Sequence, residues 1–328
     1  MERKPKLLIT GANGFIGYHL IELALNYFDV YAGVRSESDS SHLTDMNATI
    51  VELDYSNVKT LADHLSHHRY DYIIHAAGAT KARDLDAYNT ANVTSTKNLC
   101  EAIEKSWMPK KFVFISSLAA LGPLQYGKDQ KLMTSSPAHP VTSYGESKLN
   151  AENMLKQHPD IPWIILRPTA VYGPREKDFL VMMKSINMGL EIYIGKEPQL
   201  FTFVYVKDLS DAIIRACLSE IQHEAYNISD GYVYEKYDFS ETTKKVLDKR
   251  TVKLHVPVFM VRAIARTLEL FSRNKTPLLN QEKLAELTAR NWNCDIENAQ
   301  SDLAYIPQYS LYKGLTETIN WYKENKWI

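Results

Sequence analysis

Tyr144 and Lys148 stand four residues apart in S-Y-G-E-S-K, a segment of helical period, so both side chains fall on one helix face. A phenol with an ordinary pKa of about 10 needs help to carry a proton near neutrality, and a neighbouring ammonium supplies it by stabilising the phenolate. The pair is suited to general acid/base work on an oxygen. Spacing alone does not single it out, because Tyr232/Lys236 and Tyr309/Lys313 repeat it. Only the Tyr144 pair follows a strand ending in Ser116-Ser117 and lies in a βα alternation that opens on a glycine-rich turn.

That turn is Leu7 to Gly17, L-L-I-T-G-A-N-G-F-I-G: an apolar run, three glycines at three-residue spacing, then a helical pattern. Gly11 permits the tight turn off the strand, Gly14 lets backbone N–H groups approach a pyrophosphate, and Gly17 lets the helix pack closely on the sheet. The helix N-terminus adds unpaired donors and the positive end of its dipole. The pattern reads as the phosphate-binding turn of a dinucleotide fold.

The elements that must position these residues follow from periodicity. Strands are expected at Lys6–Thr10, Asp29–Val34, Thr49–Leu53, Tyr72–Ala76, Lys111–Ser116 and Trp163–Arg167, with helices such as Ala87–Lys105 and Ser143–Gln157 between them. Near-continuous apolar runs such as Y-I-I-H-A suit strands buried on both faces. The fold class is α/β, a doubly wound parallel sheet with a smaller, discontinuous C-terminal substrate domain. Residues 1–173 form the dinucleotide-binding domain; 203–229 return to it through a helix at Val206–Leu218 and a strand at Tyr226–Ile228. Residues 174–202 and 230–328 form the substrate-binding domain.

Composition narrows the partners. The 328 residues are 45% hydrophobic and 23% charged with a formal net charge of -1, and no long basic block is present to track a duplex, so nucleic acid is not an expected partner. The three cysteines, Cys100, Cys217 and Cys294, are far apart and in no C-x-x-C pair, which suits a reducing cytoplasm and argues against a zinc site. M-E-R-K-P-K leads straight into a strand without a signal-like apolar region, and no apolar run reaches the ~20 residues that span a bilayer.

The second strand ends G-V-R-S, where NAD-preferring folds usually carry Asp or Glu. Arg35 can pair a 2′-phosphate and stack on adenine, which favours NADP, with NAD the alternative. Asp54, before Tyr55, has two readings: a contact to the adenine edge, or a cap on the next helix.

Taken together, several motifs in one order resemble the extended short-chain dehydrogenase/reductase family over essentially the whole chain. They are the glycine turn, H-A-A-G at His75–Gly78, Asn92-Val93, F-I-S-S-L-A-A-L-G at Phe114–Gly122, Y-G-E-S-K, L-R-P-T-A-V-Y-G-P at Leu166–Pro174 and F-V-Y-V-K-D-L at Phe203–Leu209. The resemblance implies a Rossmann domain, an NAD(P)-dependent dehydrogenase, reductase or epimerase, and a homodimer. It makes Tyr144 the acid/base, gives Lys148 the nicotinamide ribose and the tyrosine pKa, and has Ser117, five residues before Gly122, hydrogen-bond the reacting oxygen; Ser116 then points away and is structural. It spreads the cofactor site over Gly11, Asn13, Gly14, Phe15, Ile16, Gly17, Arg35, Asp54, Tyr55, Ala76, Ala77, Gly78, Tyr144, Lys148 and Pro168. A dinucleotide sensor would keep the glycine turn without needing the Ser/Tyr/Lys set.

Departures from the family's sub-patterns point to the substrate. Dehydratases place an Asp-Glu pair after the catalytic hydroxyl, where this chain has Leu118-Ala119; epimerases commonly carry an arginine where it has Phe201, in F-T-F-V-Y-V. The pattern looks more like the 3β-hydroxysteroid dehydrogenase and dihydroflavonol reductase branch, with hydrophobic alcohols or ketones as substrates and a nucleotide-sugar epimerase as the alternative. Thr80, Lys81, Arg175 and Phe201 are the candidate substrate residues; for Lys81 a solvated loop charge is the competing reading. His75 reads as a hydrogen-bonded core residue and Asn92 as structural. Val256–Phe271 reads as a substrate-domain helix packed over the pocket, with a place in a membrane interface as the alternative.

Overall fold

The computed structural model describes residues 3–127, 129–271 and 280–328. Its strands are β1 (Lys6–Thr10), β2 (Asp29–Val34), β3 (Thr49–Glu52), β4 (Tyr72–His75), β5 (Lys111–Ile115), β6 (Trp163–Pro168), β7 (Ala170–Tyr172), β8 (Leu190–Ile194), β9 (Leu200–Phe201), β10 (Phe203–Tyr205), β11 (Glu224–Ile228), β12 (Tyr234–Glu235) and β13 (Val252–Val256). Its α-helices are α1 (Phe15–Ala24), α2 (Val58–His68), α3 (Leu85–Asn89), α4 (Ser95–Lys105), α5 (Ser143–Leu155), α6 (Asp178–Asn187), α7 (Val206–Leu218), α8 (Asp238–Leu247), α9 (Val258–Phe271), α10 (Gln281–Thr288), α11 (Glu297–Leu303) and α12 (Leu311–Glu324).

Seven strands form one sheet in the order β11-β6-β5-β4-β1-β2-β3, every neighbouring pair parallel. The expected doubly wound sheet is present, and its strand ends differ from the sequence reading by at most two residues. Leu7, Ile9, Ile74, Val113 and Ile164 face α1 and α7; Leu8, Ile73, Phe112, Phe114 and Ile165 face α2, α4 and α5. Alternate strand residues thus enter opposite layers, which is why the strands read as unbroken apolar runs.

One helix departs from the reading. Instead of a single helix over Ala87–Lys105, a π turn at Thr90–Thr94 separates α3 from α4. The wider turn carries Asn92, which is buried.

From Tyr172 onward a second core gathers aromatic side chains: Tyr172, Phe203, Tyr205, Phe239 and Tyr322. Phe179 stacks on Phe239 at 4.7 Å, and Phe203 lies 4.9 Å from Phe239. α9 buries one side and leaves the other exposed. Of its described side chains Val261 and Ala265 are buried, whereas Phe259, Met260, Ile264 and Leu268 are exposed; α9 packs on α10, and α10 lies beside Ser143 and Tyr144. No described helix is long and apolar enough to cross a membrane.

Candidate active site

The predicted residues converge at the carboxyl ends of the sheet strands, the edge where open α/β sheets bind ligands. Gly11 follows β1, Arg35 follows β2, Asp54 and Tyr55 follow β3, Ala76–Gly78 follow β4, Ser117 follows β5, and Pro168 ends β6.

The glycine turn is sterically committed. Gly11 has φ +66°, and a Cβ there would lie 2.7 Å from the Ala76 carbonyl oxygen and the Ala77 nitrogen. At Gly17 a Cβ would lie 2.3 Å from the Gly11 oxygen, so the helix can sit this close only without a side chain. Gly14 caps α1 with no side-chain hydrogen bond, and the first turn holds no acidic residue. The helix N-terminus therefore keeps its donors and its field for an anion, which fits a dinucleotide diphosphate. Asn13 Nδ2 donates to the Asp39 carbonyl at 3.3 Å, Phe15 sets its ring edge-on to His19, and Ile16 packs on the sheet core.

Arg35 is exposed at the end of β2, with its carbonyl turned to the Ser38 N–H. Asp54 does not cap the next helix: its Oδ1 accepts from the Ser56 N–H at 2.9 Å and the Ser56 hydroxyl at 2.6 Å, while Asn57 caps α2 through Thr60. The Tyr55 ring lies 6.1 Å from His75.

α5 starts at Thr142, whose hydroxyl accepts from the Gly145 N–H, so Tyr144 and Lys148 lie in the first two turns. Gly145 is required for this placement, since a Cβ there would lie 2.4 Å from the Ala119 carbonyl. Ser117, the cap of the short turn Leu118–Ala120, faces Tyr144 closely enough to draw its pKa down. Burial raises the Tyr144 pKa to about 12, opposed by the neighbouring Ser117 hydroxyl and reinforced by Glu286 and Tyr88. Lys148 Nζ donates to the Ile115 carbonyl at 2.8 Å. Burial lowers its pKa to about 8, against the pull of Glu152. The lysines of the Tyr232/Lys236 and Tyr309/Lys313 pairs are otherwise engaged. Lys236 donates to the carbonyls of Ile194, Gly195 and Glu197, and the Lys313 ammonium sits 3.9 Å from its own Tyr309 ring centre.

Asn92, His75 and Ser116 take the structural places read for them, while their partners Ser147, Thr96, Thr10, Glu152 and Arg167 escaped sequence reasoning. Asn92 Oδ1 accepts from the Ala79 N–H at 2.7 Å, and its Nδ2 donates to the Ala79 carbonyl and to Ser147 Oγ. The Ser147 hydroxyl donates in turn to the Tyr144 carbonyl, so one amide joins the loop after β4 to α5. The Thr96 hydroxyl donates to the Asn92 carbonyl, which assigns His75 Nε2–H as donor to Thr96 and Nδ1 as acceptor from the Thr10 hydroxyl at 2.7 Å. Thr10 also accepts the Ala77 N–H. Burial, with Lys148 adding to it, holds His75 down to about 3, so this imidazole is a neutral clamp in the core. Ser116 points away from Ser117 to the carboxylate of buried Glu152, which Arg167 holds through two nitrogens. The signals were present: Glu152 lies four residues after Lys148, and Arg167 interrupts an apolar strand.

The candidate substrate residues scatter more widely. The Thr80 carbonyl accepts from the Tyr88 hydroxyl, and Lys81 pairs with Asp178 at 2.7 Å, both side chains more than half exposed. Arg175, at φ +74°, lays its guanidinium 4.0 Å from the Tyr18 ring centre, on α1. Phe201 packs beside Phe203 in the aromatic core, and its strand partner is Tyr234. From the opposite side, Glu282 of α10 accepts from the Ser143 N–H and hydroxyl, bringing α10 to the start of α5. No group of residues able to hold a metal ion occurs among the described residues.

A doubly wound sheet with this turn and this Ser/Tyr/Lys set defines an NAD(P)-dependent enzyme of the short-chain dehydrogenase/reductase type. Residues 7–229 match the NAD dependent epimerase/dehydratase family model, and the chain belongs to that family. It is similar to a sterol-4-alpha-carboxylate 3-dehydrogenase (decarboxylating) of Candida albicans, 24% identical with 99% of each chain covered. It is also similar to a UDP-glucose 4-epimerase of Vibrio cholerae, 27% identical with 96% of this chain and 95% of the other covered. Among solved structures, the UDP-glucuronic acid 4-epimerase of Bacillus cereus in complex with NAD superposes with a TM-score of 0.77 at 23% identity, covering 98% of this chain and 99% of that one.

Proposed function

We propose that this enzyme is a reductase moving hydride between NADP(H) and the ketone or secondary alcohol of a hydrophobic small molecule. The nicotinamide, when bound, supplies or takes the hydride. Ser117 hydrogen-bonds the carbonyl oxygen and Tyr144 delivers the proton to it. Tyr144 is a neutral phenol at pH 7, and burial moves its pKa further up, so it is set as a proton donor, the role that ketone reduction needs. Lys148 holds the ribose. Arg35, exposed at the end of β2, is the residue that would read a 2′-phosphate.

The observation that carries the substrate class is Phe201. It sits among Phe203, Tyr234 and Phe239, so the wall at this position has rings where a diphosphate would need cations. The cations that could compensate are engaged: Lys81 by Asp178, Arg175 by the Tyr18 ring, and Lys177 at 6.0 Å from the Trp327 ring centre. The similarity to a sterol dehydrogenase over the whole chain agrees with this reading.

The second reading, a nucleotide-sugar epimerase, draws on the similarity to the UDP-glucose 4-epimerase. The same three side chains would then oxidise and re-reduce one substrate on tightly held NAD. Cofactor fluorescence of the purified protein, followed by turnover and thermal-shift screens, separates the two. Exchangeable NADPH with a response to apolar ketones supports the reductase; co-purified NAD with micromolar binding of a UDP- or dTDP-sugar, and no response to any apolar carbonyl, reverses the order. We assign the enzyme to the cytoplasm, which its three unpaired, buried cysteines support, and to the homodimeric state that the family resemblance implies.

A further inference from the structure

The parallel ladder β8–β13 is built inside out. Leu190, Ile192 and Ile194 share one face of β8, and their partners on β13 are Val252, Leu254 and Val256, so that face is aliphatic at all six positions. The opposite face is polar and turned inward. Glu191 is buried against Tyr193, Lys244 and Thr251, and His255 meets the Tyr237 hydroxyl. A two-stranded ladder in water ordinarily buries its aliphatic face. Here Val252 is 70% exposed, and Ile192 and Leu254 are about half exposed.

The apolar surface continues into the next element. Pro257 leads directly from β13 into α9, whose first residue, Val258, lies against Gly195 at the end of β8. α9 then exposes Phe259 (71%), Met260, Ile264 and Leu268. Charge says what covers this surface. Residues 249–266 contain five Lys and Arg and no Asp or Glu, in a chain whose net charge is -1. Lys249, Arg250, Arg262 and Arg266 are exposed and have no acidic partner among the described residues; Lys253 alone is paired, with Glu241. An apolar face bordered by unpaired cations matches the headgroup region of an anionic bilayer, where basic groups meet lipid phosphates and aliphatic side chains enter the acyl boundary.

We infer that the outer face of β8–β13 and the exposed side of α9 form a docking surface for an anionic phospholipid membrane. The surface connects with the active site through α10, which packs on α9 and holds Ser143 beside Tyr144. An enzyme seated this way takes apolar substrates from the bilayer at the side of its catalytic cleft. The inference stands on the surface itself and is tested without any substrate.

The test is sedimentation of the full chain with phosphatidylcholine vesicles and with vesicles containing about 30% phosphatidylglycerol, at low and high salt. Binding to the anionic vesicles, weakened by salt and nearly absent with phosphatidylcholine alone, is the expected result. R262A/R266A loses roughly twenty- to thirtyfold in partitioning at low salt, about fivefold per basic residue. L254S/F259S loses binding at any salt. Both variants keep the wild-type melting temperature and NADPH affinity within a few-fold, which separates docking from folding. Failure of the wild type to bind anionic vesicles overturns the inference, as does wild-type binding by both variants. It is equally overturned if sedimentation velocity shows a dimer that L254S/F259S converts to monomer, since a second copy would then cover the face.

Discussion

Arg167 closes on Glu152 through two nitrogens, Nε to Oε1 at 2.9 Å and Nη2 to Oε2 at 2.6 Å, with the carboxylate fully buried and the guanidinium 4% exposed. Glu152 lies one helical turn beyond Lys148, and Ser116 adds its hydroxyl to Oε1. The pair therefore joins α5, the end of β5 and β6, the elements on which Tyr144, Lys148, Ser117 and Pro168 are mounted. Arg167→Met leaves a buried carboxylate without its partner, and the expected loss of stability is about 3–5 kcal/mol. Replacing both residues, as E152L/R167M, restores most of it, because no charge is then stranded. Chemical denaturation of the two variants checks this; equal destabilisation by single and double changes would refute it.

In the proposed mechanism, Tyr144→Phe removes the proton that is transferred and leaves the dinucleotide contacts. Turnover should vanish while NADPH affinity, measured by fluorescence titration, stays within a few-fold. Ample residual turnover would remove Tyr144 from the mechanism.

Lys148, with its pKa lowered to about 8 by burial, is charged at pH 7 and largely neutral above pH 9. An ammonium that holds the ribose is lost as pH rises through this range, so cofactor affinity should fall between pH 7 and 9. Lys148→Arg keeps its charge and should flatten the profile, whereas Lys148→Ala should weaken affinity and turnover at every pH. A profile for Lys148→Ala with the wild-type break would assign the titration to another group.

Arg35→Ala should weaken NADPH by about 1.5–3 kcal/mol, the scale of a hydrogen bond to a charged group, with NADH nearly unchanged. Equal losses for both cofactors would show that Arg35 does not read the 2′-phosphate.

Asp230 is buried near Asp208, and desolvation raises its pKa to about 6 despite bonds from the Tyr234 hydroxyl and the Tyr232 N–H. The folded state binds its proton more tightly than the unfolded state, so this residue's contribution is largest below pH 4 and is lost as pH rises through 6. Asp230→Asn should remove that slope and be more stable than wild type at pH 7 by roughly 2–3 kcal/mol. Parallel stability curves for the two proteins between pH 4 and 7 would falsify this.

Local pattern alone fixes much of this protein. Apolar runs mark β1, β4, β5 and β6 because strands covered on both sides need no polar face, whereas β3 is a largely exposed edge strand, and G-A-N-G-F-I-G marks its turn because no other residue fits at Gly11 and Gly17. Y-G-E-S-K carries its helix spacing within itself, so the Tyr/Lys pair was legible before any fold was known. Contacts between distant segments were not. Asn92 meets Ala79 and Ser147 only after a π turn rotates it inward, and Arg167 finds Glu152 across a strand and a helix. Lys148 bonds the Ile115 carbonyl because β5 ends beneath it, and burial sets both pKa values of the pair. The apolar stretch at 256–271 reads as a packed helix in one dimension. Only the fold decides that its neighbours leave most of that apolar surface exposed, because burial is a property of what lies across the chain and not along it.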